Sequence, residues 1–158
     1  MPEISITILT FNSMGFIKSC LYSAFSQNIQ DLEVIVVDNG SQDSTVDFIK
    51  ENYPQVILIE NKENLGACEA RNQAIEASQG SWILNLDCDV VLEKDFLKKI
   101  IDSIYESEEY IGMLQPKILR EGKKIIYSCG IYLSKLRRCY DIGGGKLDNG
   151  ELVFLNIF

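Results

Sequence analysis

Between residues 3 and 106 the apolar positions change their spacing in a regular way. Ile4–Leu9, Glu33–Val37, Val56–Ile59 and Trp82–Leu86 are short, nearly continuous apolar or β-branched runs, each about as long as a strand buried on both faces. The segments between them switch to a helical period. Phe16–Phe25 sets Phe16, Ile17, Cys20, Leu21, Ala24 and Phe25 on one stripe, and Ser44–Glu51 puts Val46 and Ile49 opposite a polar face. Gly66–Ser78 is a run of helix formers followed by Gly80, read here as the left-handed turn that ends a helix. Glu93–Glu106, with Phe96, Leu97, Ile100, Ile101, Ile104 and Tyr105, is amphipathic. The order β-α-β-α-β-α-β-α predicts an α/β fold, a mostly parallel sheet with helices on both faces, joined by right-handed crossovers. Beyond residue 110 the pattern weakens to short strands at Ile111–Gln115, Lys124–Tyr127 and Ile131–Leu133, a glycine turn at Gly143–Gly145 and an apolar run at Val153–Phe158.

Ligands of such sheets bind beyond the carboxyl ends of the strands. The residues there are Thr10–Phe11–Asn12, Asp38–Asn39–Gly40–Ser41, Glu60–Asn61–Lys62 with Asn64–Leu65–Gly66, and Asp87–Cys88–Asp89. An ordinary turn uses the same residue types, so most of these loops point nowhere by themselves. Asp87 and Asp89 differ. Side chains at i and i+2 of an extended segment share a face, and two carboxylates held together repel unless a cation compensates. Oxygen ligands suit Mg²⁺ or Mn²⁺, which one or two carboxylates commonly hold together with a substrate's phosphates. The plain alternative is a solvated acidic loop ahead of a helix.

Composition narrows the classes. At 158 residues, 46% hydrophobic and 24% charged, the chain reads as one soluble domain. No apolar stretch nears the roughly 20 residues of a membrane-spanning helix, and Met1–Pro2–Glu3 is no signal peptide, so a cytoplasmic protein without a transmembrane segment is expected. Fifteen basic against 23 acidic residues argue against a bulk electrostatic grip on nucleic acid or an anionic membrane. Five cysteines in no CxxC spacing suggest reduced, mostly buried thiols. The absence of histidine excludes Ser–His and Cys–His nucleophile systems. Gly143–Gly145 lacks a following Lys–Ser/Thr and is no P-loop.

Three ordered stretches, ISITILTFNSMGFIKSCLYSAFSQ, LEVIVVDNGSQDST and ENLGACEARNQAIEASQGSWILNLDCDVVLEKDF, resemble the donor-binding half of a family 2 glycosyltransferase with the GT-A fold. GMLQPKIL is similar, more loosely, to the next stretch of rhamnosyltransferase-like members. The resemblance implies binding of a nucleotide-diphosphate sugar and inverting transfer to a carbohydrate or lipid-linked acceptor in polysaccharide or glycolipid synthesis. It implies that Thr10, Phe11 and Asn12 line the nucleotide pocket and that Asp38 accepts a hydrogen bond from base or ribose. Arg71 would lie near base or phosphates, although a surface ion pair with Glu69 or Glu76 would also explain it. Asp87 would contact ribose or metal, Asp89 would be the firmer ligand of Mg²⁺ or Mn²⁺, and Cys88 would turn away and pack.

The family's catalytic base belongs to the acceptor half. Asp141 and Asp148 are the acidic residues in that direction, each equally a turn residue, and the base stays unassigned. The expected organisation is one domain over 1–158, with a nucleotide-sugar-binding half at 1–110 and an incomplete acceptor half at 111–158. A non-catalytic donor-binding or assembly module is the alternative. A nucleotidyltransferase would need a glycine-rich basic loop after the first strand, which Thr10–Gly15 is not. An uncovered edge at Val153–Phe158 would favour homo-oligomers.

Overall fold

The computed structural model describes residues 2–106, 111–122 and 124–150, and the backbone of 155–156. The elements are β1 (Ile4–Thr10), α1 (Met14–Phe25), β2 (Glu33–Asp38), α2 (Thr45–Asn52), β3 (Ile57–Glu60), α3 (Ala67–Ala77), β4 (Trp82–Asp87) and α4 (Phe96–Glu106). The short strands β5 (Leu114–Gln115), β6 (Ile118–Leu119), β7 (Ile126–Ser128), β8 (Ile131–Leu133), β9 (Cys139–Asp141) and β10 (Leu155–Asn156) follow. The chain forms two compact units, Met1–Asp102 and Ser103–Phe158.

In the first unit a four-stranded sheet runs β3-β2-β1-β4, every pair parallel. Central β1 is buried almost throughout, as its unbroken apolar and β-branched sequence dictates. Alternation sends Ile4, Ile6 and Ile8 with Val34, Val36 and Leu86 to one face, where Ile17, Cys20, Leu21 and Ala24 of α1, Ile49 of α2 and Leu97 of α4 close a core. Each fully buried Ile or Leu there contributes about 1.5–3 kcal/mol. On the other face Ile35 and Val37 meet Ala70 and Ala74 of α3, whose small side chains let the helix lie close. Helices therefore cover both faces.

Two expectations change. Helix α3 ends in an extended Ser78 at φ −72°, ψ 138°, not in a left-handed glycine. Gly80 is required for another reason: a Cβ there would lie 2.5 Å from Ser5 N and 2.9 Å from Ile4 C, so the chain crosses β1 where only a glycine fits. The second concerns cysteines: none is disulfide-bonded, and Cys20 and Cys129 are buried, but Cys68 and Cys139 are exposed.

In the second unit β5 pairs with β10, β6 with β7 and β8 with β9, all antiparallel. The strands at Ile118–Leu119 and Cys139–Asp141 are too short to carry a period, which hid them in the sequence. Apart from the backbone of Leu155–Asn156, the apolar run Val153–Phe158 lies outside the described residues. Among the described residues no helix is long and apolar enough to cross a membrane.

Candidate functional site

Strand register assembles the site. Thr10 lies beside Asp38, Asp38 beside Glu60, and Leu9 beside Asp87, so Glu60, Asp38, Thr10 and Asp87 form a row along one carboxyl edge. Asp38 and Asp87 are separated by β1, about 10 Å or two strand spacings. Alternation gives them different faces: Asp38 follows Val34 and Val36 toward the α1–α2 side, whereas Asp87 alternates with Leu86 and points to the α3 side.

There Arg71 of α3 meets it, with Nη2 2.5 Å from Asp87 Oδ1. This corrects the surface pairing of Arg71 with Glu69 or Glu76. The side chains are 35% and 63% exposed, so the pair adds at most about 1 kcal/mol and can be exchanged for a ligand at little cost.

The acidic pair is also not extended. The Val90 amide donates to Asp87 O at 3.1 Å and closes a turn through Cys88 and Asp89, so strand alternation does not put the two carboxylates on one face. Asp89 is exposed and makes no hydrogen bond or ion pair among the described residues. Cys88 packs against the core, 3.2 Å from Ser13 Oγ. Beneath the turn, burial, reinforced by Cys88, Asp89 and Asp87, pushes the Cys20 thiol up to about 12. It stays protonated and inert.

Asp38 is 2% exposed and spends its carboxylate on its own loop, Oδ2 accepting from the Ser41 amide at 2.8 Å and Oδ1 from Ser41 Oγ. Each oxygen keeps a lone pair for a further donor. Thr10 is buried, and its Oγ1 has no hydrogen-bond partner among the described residues, an arrangement that costs about 1–3 kcal/mol unless something donates or accepts there. Phe11 is half-exposed at the lip. Asn12, at φ 49°, ties the first loop to the second: its amide donates to Ser41 Oγ and its Oδ1 accepts from the Gln42 amide, both at 2.8 Å. The structure thus brings Thr10, Phe11, Asn12 and Asp38 together around β1 and β2, and Arg71 and Asp87 together around α3 and β4.

Several residues that hold these loops were not legible as such. Buried Asn39 donates from Nδ2 to Asn64 Oδ1 and Gly66 O, and accepts from Asn61 Nδ2 and the Leu65 amide, clamping the loops after β2 and β3. Ser23 Oγ accepts from the Leu92 amide, while Gln27 accepts from the Leu97 amide and donates to Glu93 O, which fixes the segment after the acidic turn. Their signal was present: Ser23 and Gln27 are polar residues four apart beside an apolar helical stripe.

Asp43 pins α2 to α1. Desolvation raises its pKa, but hydrogen bonds from the Thr45 hydroxyl and amide and from the Met14 amide outweigh it, leaving Asp43 below the ordinary carboxylate range. Its stabilisation is complete above the unfolded-state pKa and disappears as pH falls through the lower folded value. Asp43→Ala is expected to cost about 1 kcal/mol at neutral pH and progressively less in acid, measured by urea unfolding across pH.

Among the described residues no three His, Cys, Asp or Glu side chains converge as a ready-made cage. The donor set nevertheless fits Mg²⁺ or Mn²⁺. Asp89 offers an unengaged carboxylate and Asp87 a second oxygen, and such ions are commonly completed by water and substrate phosphates.

Residues 5–141 match the family described as Glycosyl transferase family 2. The chain is 38% identical over 105 residues to chondroitin synthase of Escherichia coli, covering 65% of this chain and 15% of that protein. Among solved structures, the mannosyltransferase PcManGT of Pyrobaculum calidifontis, in complex with GDP-Man and Mn²⁺, superposes with a TM-score of 0.65 at 25% identity, over 75% of this chain and 36% of that one. The TarS 1–349 fragment of S. aureus, in complex with UDP-GlcNAc, gives 0.62 at 24%, over 82% and 43%, and speaks for the fold, GT-A. The chain spans less than half the length of these proteins.

Proposed function

Because the chain belongs to glycosyl transferase family 2, we propose that its carboxyl edge binds the nucleoside diphosphate of a sugar donor for inverting transfer to a carbohydrate or lipid-linked acceptor in polysaccharide or glycolipid synthesis. The observation that carries this reading is the register row placing Thr10, Asp38 and Asp87 along one edge, with Arg71 on Asp87.

In this reading Phe11 and Asn12 flank the base, and Asp38, already ordered by Ser41, accepts from base or ribose with a remaining lone pair. Thr10 Oγ1 finds its partner in the nucleotide or in water ordered by it. Arg71 turns its guanidinium from Asp87 to phosphate, for which its planar fork is suited. Asp89 and Asp87 hold Mg²⁺ or Mn²⁺, which when bound offsets charge developing on the departing diphosphate. Five unpaired thiols suit the reducing cytoplasm. The stretch Gly112–Leu119 favours a rhamnosyltransferase-like member, whereas the chondroitin synthase relative favours a different polymer; a nucleotide-diphosphate sugar as donor is common to both.

A second reading, a donor-binding module without turnover, draws support from Asp148. The Lys117 ammonium, 2.8 Å away, and the Gly150 amide hold its carboxyl below the usual range, a poor state for a general base. Calorimetric titration of UDP, GDP and dTDP with and without Mn²⁺ tests both: one nucleotide should bind more tightly with the metal. Slow hydrolysis of the matching sugar donor would exclude the module reading, and no binding of any nucleotide would end both.

A further inference from the structure

The net charge of −8 conceals a polarised chain. Residues 1–110 hold seven basic and nineteen acidic side chains, net −12, whereas 111–150 hold eight basic and three acidic, net +5. The second unit as a whole, Ser103–Phe158, holds eight basic and seven acidic side chains, net +1, so the positive charge is local to 111–150 and escapes a chain-wide total.

Three of these eight cations lie within four residues of each other on the β8–β9 hairpin, which also carries one acidic residue, Asp141. Its loop, Ser134–Arg138, is closed by the Ser134 amide on Arg138 O and the Arg137 amide on Ser134 O, and Arg137 sits at φ 57°. Lys135, Arg137 and Arg138 are exposed, and none forms an ion pair among the described residues. Between them Leu136 is 80% exposed. Tyr132 lies opposite Tyr140 on one face, Leu133 opposite Cys139 on the other, and Ile131, Tyr132, Leu133 and Tyr140 are all more than half exposed. The cations alone would suit any polyanion. The aliphatic side chains decide between partners: Leu136, Leu133 and Ile131 gain nothing from a hydrated polymer but gain free energy in the acyl boundary of a bilayer, where tyrosines also partition and basic stems reach back to the headgroups.

We propose that the β8–β9 hairpin docks this protein on an anionic lipid bilayer, Leu136 entering the interface and Lys135, Arg137 and Arg138 binding acidic headgroups. This rests on the second unit alone and stands or falls independently of the donor-site reading.

The test is flotation of the full chain with mixed phosphatidylglycerol–phosphatidylcholine vesicles and with pure phosphatidylcholine vesicles. Binding is expected on the anionic vesicles only, weakening as salt screens it. Since each cation near such a surface is worth about a factor of five, the combined Lys135→Gln, Arg137→Gln and Arg138→Gln variant should bind on the order of 100-fold more weakly. Leu136→Ser should lose roughly tenfold, and a Lys94→Gln, Lys98→Gln control should bind as the parent does. The proposal is overturned if the parent stays unbound, if the triple variant floats equally well, or if the control loses as much as the triple variant. It is also overturned if dextran sulfate binds while Leu136→Ser changes nothing, which would mark a generic polyanion site. Light scattering that shows oligomers dissolved by Leu136→Ser, without vesicle binding, would make the hairpin a self-contact and overturn it as well.

Discussion

Asp89→Ala is expected to remove the Mn²⁺-dependent part of nucleoside diphosphate binding while leaving metal-free binding and stability almost unchanged. Asp89 is exposed and bonded to nothing among the described residues, so its removal should shift unfolding by no more than about 0.5 kcal/mol. The loss should fall on the ligand. Removing one charged contact of this kind costs about 3 kcal/mol, which is about 100-fold in affinity. The measurement is paired calorimetry with and without Mn²⁺ on parent and variant. Equal weakening in both conditions would assign Asp89 a structural role, and unchanged metal-dependent binding would remove it from the site.

Gly80→Ala should strongly destabilise the first unit. The new Cβ would stand 2.5 Å from Ser5 N and 2.6 Å from Ser5 Oγ, the latter accepting a hydrogen bond from the Gly80 amide at 2.8 Å. Ser5 belongs to β1, paired on both sides, and cannot move without dragging β2 and β4 with it. Overpacking against immovable backbone costs about 3 kcal/mol, read as a lower urea midpoint at constant m-value. Gly15, in the first turn of α1 with open space around its would-be Cβ, supplies the comparison: Gly15→Ala should gain about 0.4–1 kcal/mol. Equal effects at the two positions would mean that the chain at Gly80 does not lie against β1 as described.

These residues show what a sequence carries and what it does not. Period and run length located β1–β4 and α1–α4 to within a few residues, because each element buries a face and burial writes the pattern. Gly80 stands out in the sequence as a helix-ending residue but is required by a near neighbour: a glycine marks either a dihedral angle or a close approach, and only coordinates separate the two. The carboxyl-edge rule led to Thr10, Asp38 and Asp87 because strand ends can be read from apolar runs. Whether Asp87 and Asp89 continue the strand or turn depends on one amide, that of Val90, which no periodicity encodes. The partner of Arg71 is hidden in the sequence because Asp87 is sixteen residues away and near only through the crossover from α3 to β4. The clamp made by Asn39 is hidden because a buried clamp and a solvated turn residue look alike in a loop. The basic stretch Lys135–Arg138 is invisible in a charge summed over the whole chain.

The most decisive measurement is the amide NMR spectrum of the uniformly ¹⁵N-labelled chain, titrated with Mn²⁺ in the presence and absence of the nucleoside diphosphate that binds best. With nucleotide present, paramagnetic broadening should centre on Cys88–Val90 and extend to Thr10–Asn12 and Asn39–Ser41, and Asp89→Ala should abolish it. Broadening that centres on other acidic segments, or that is the same with and without nucleotide, would contradict a shared cradle at the carboxyl edge.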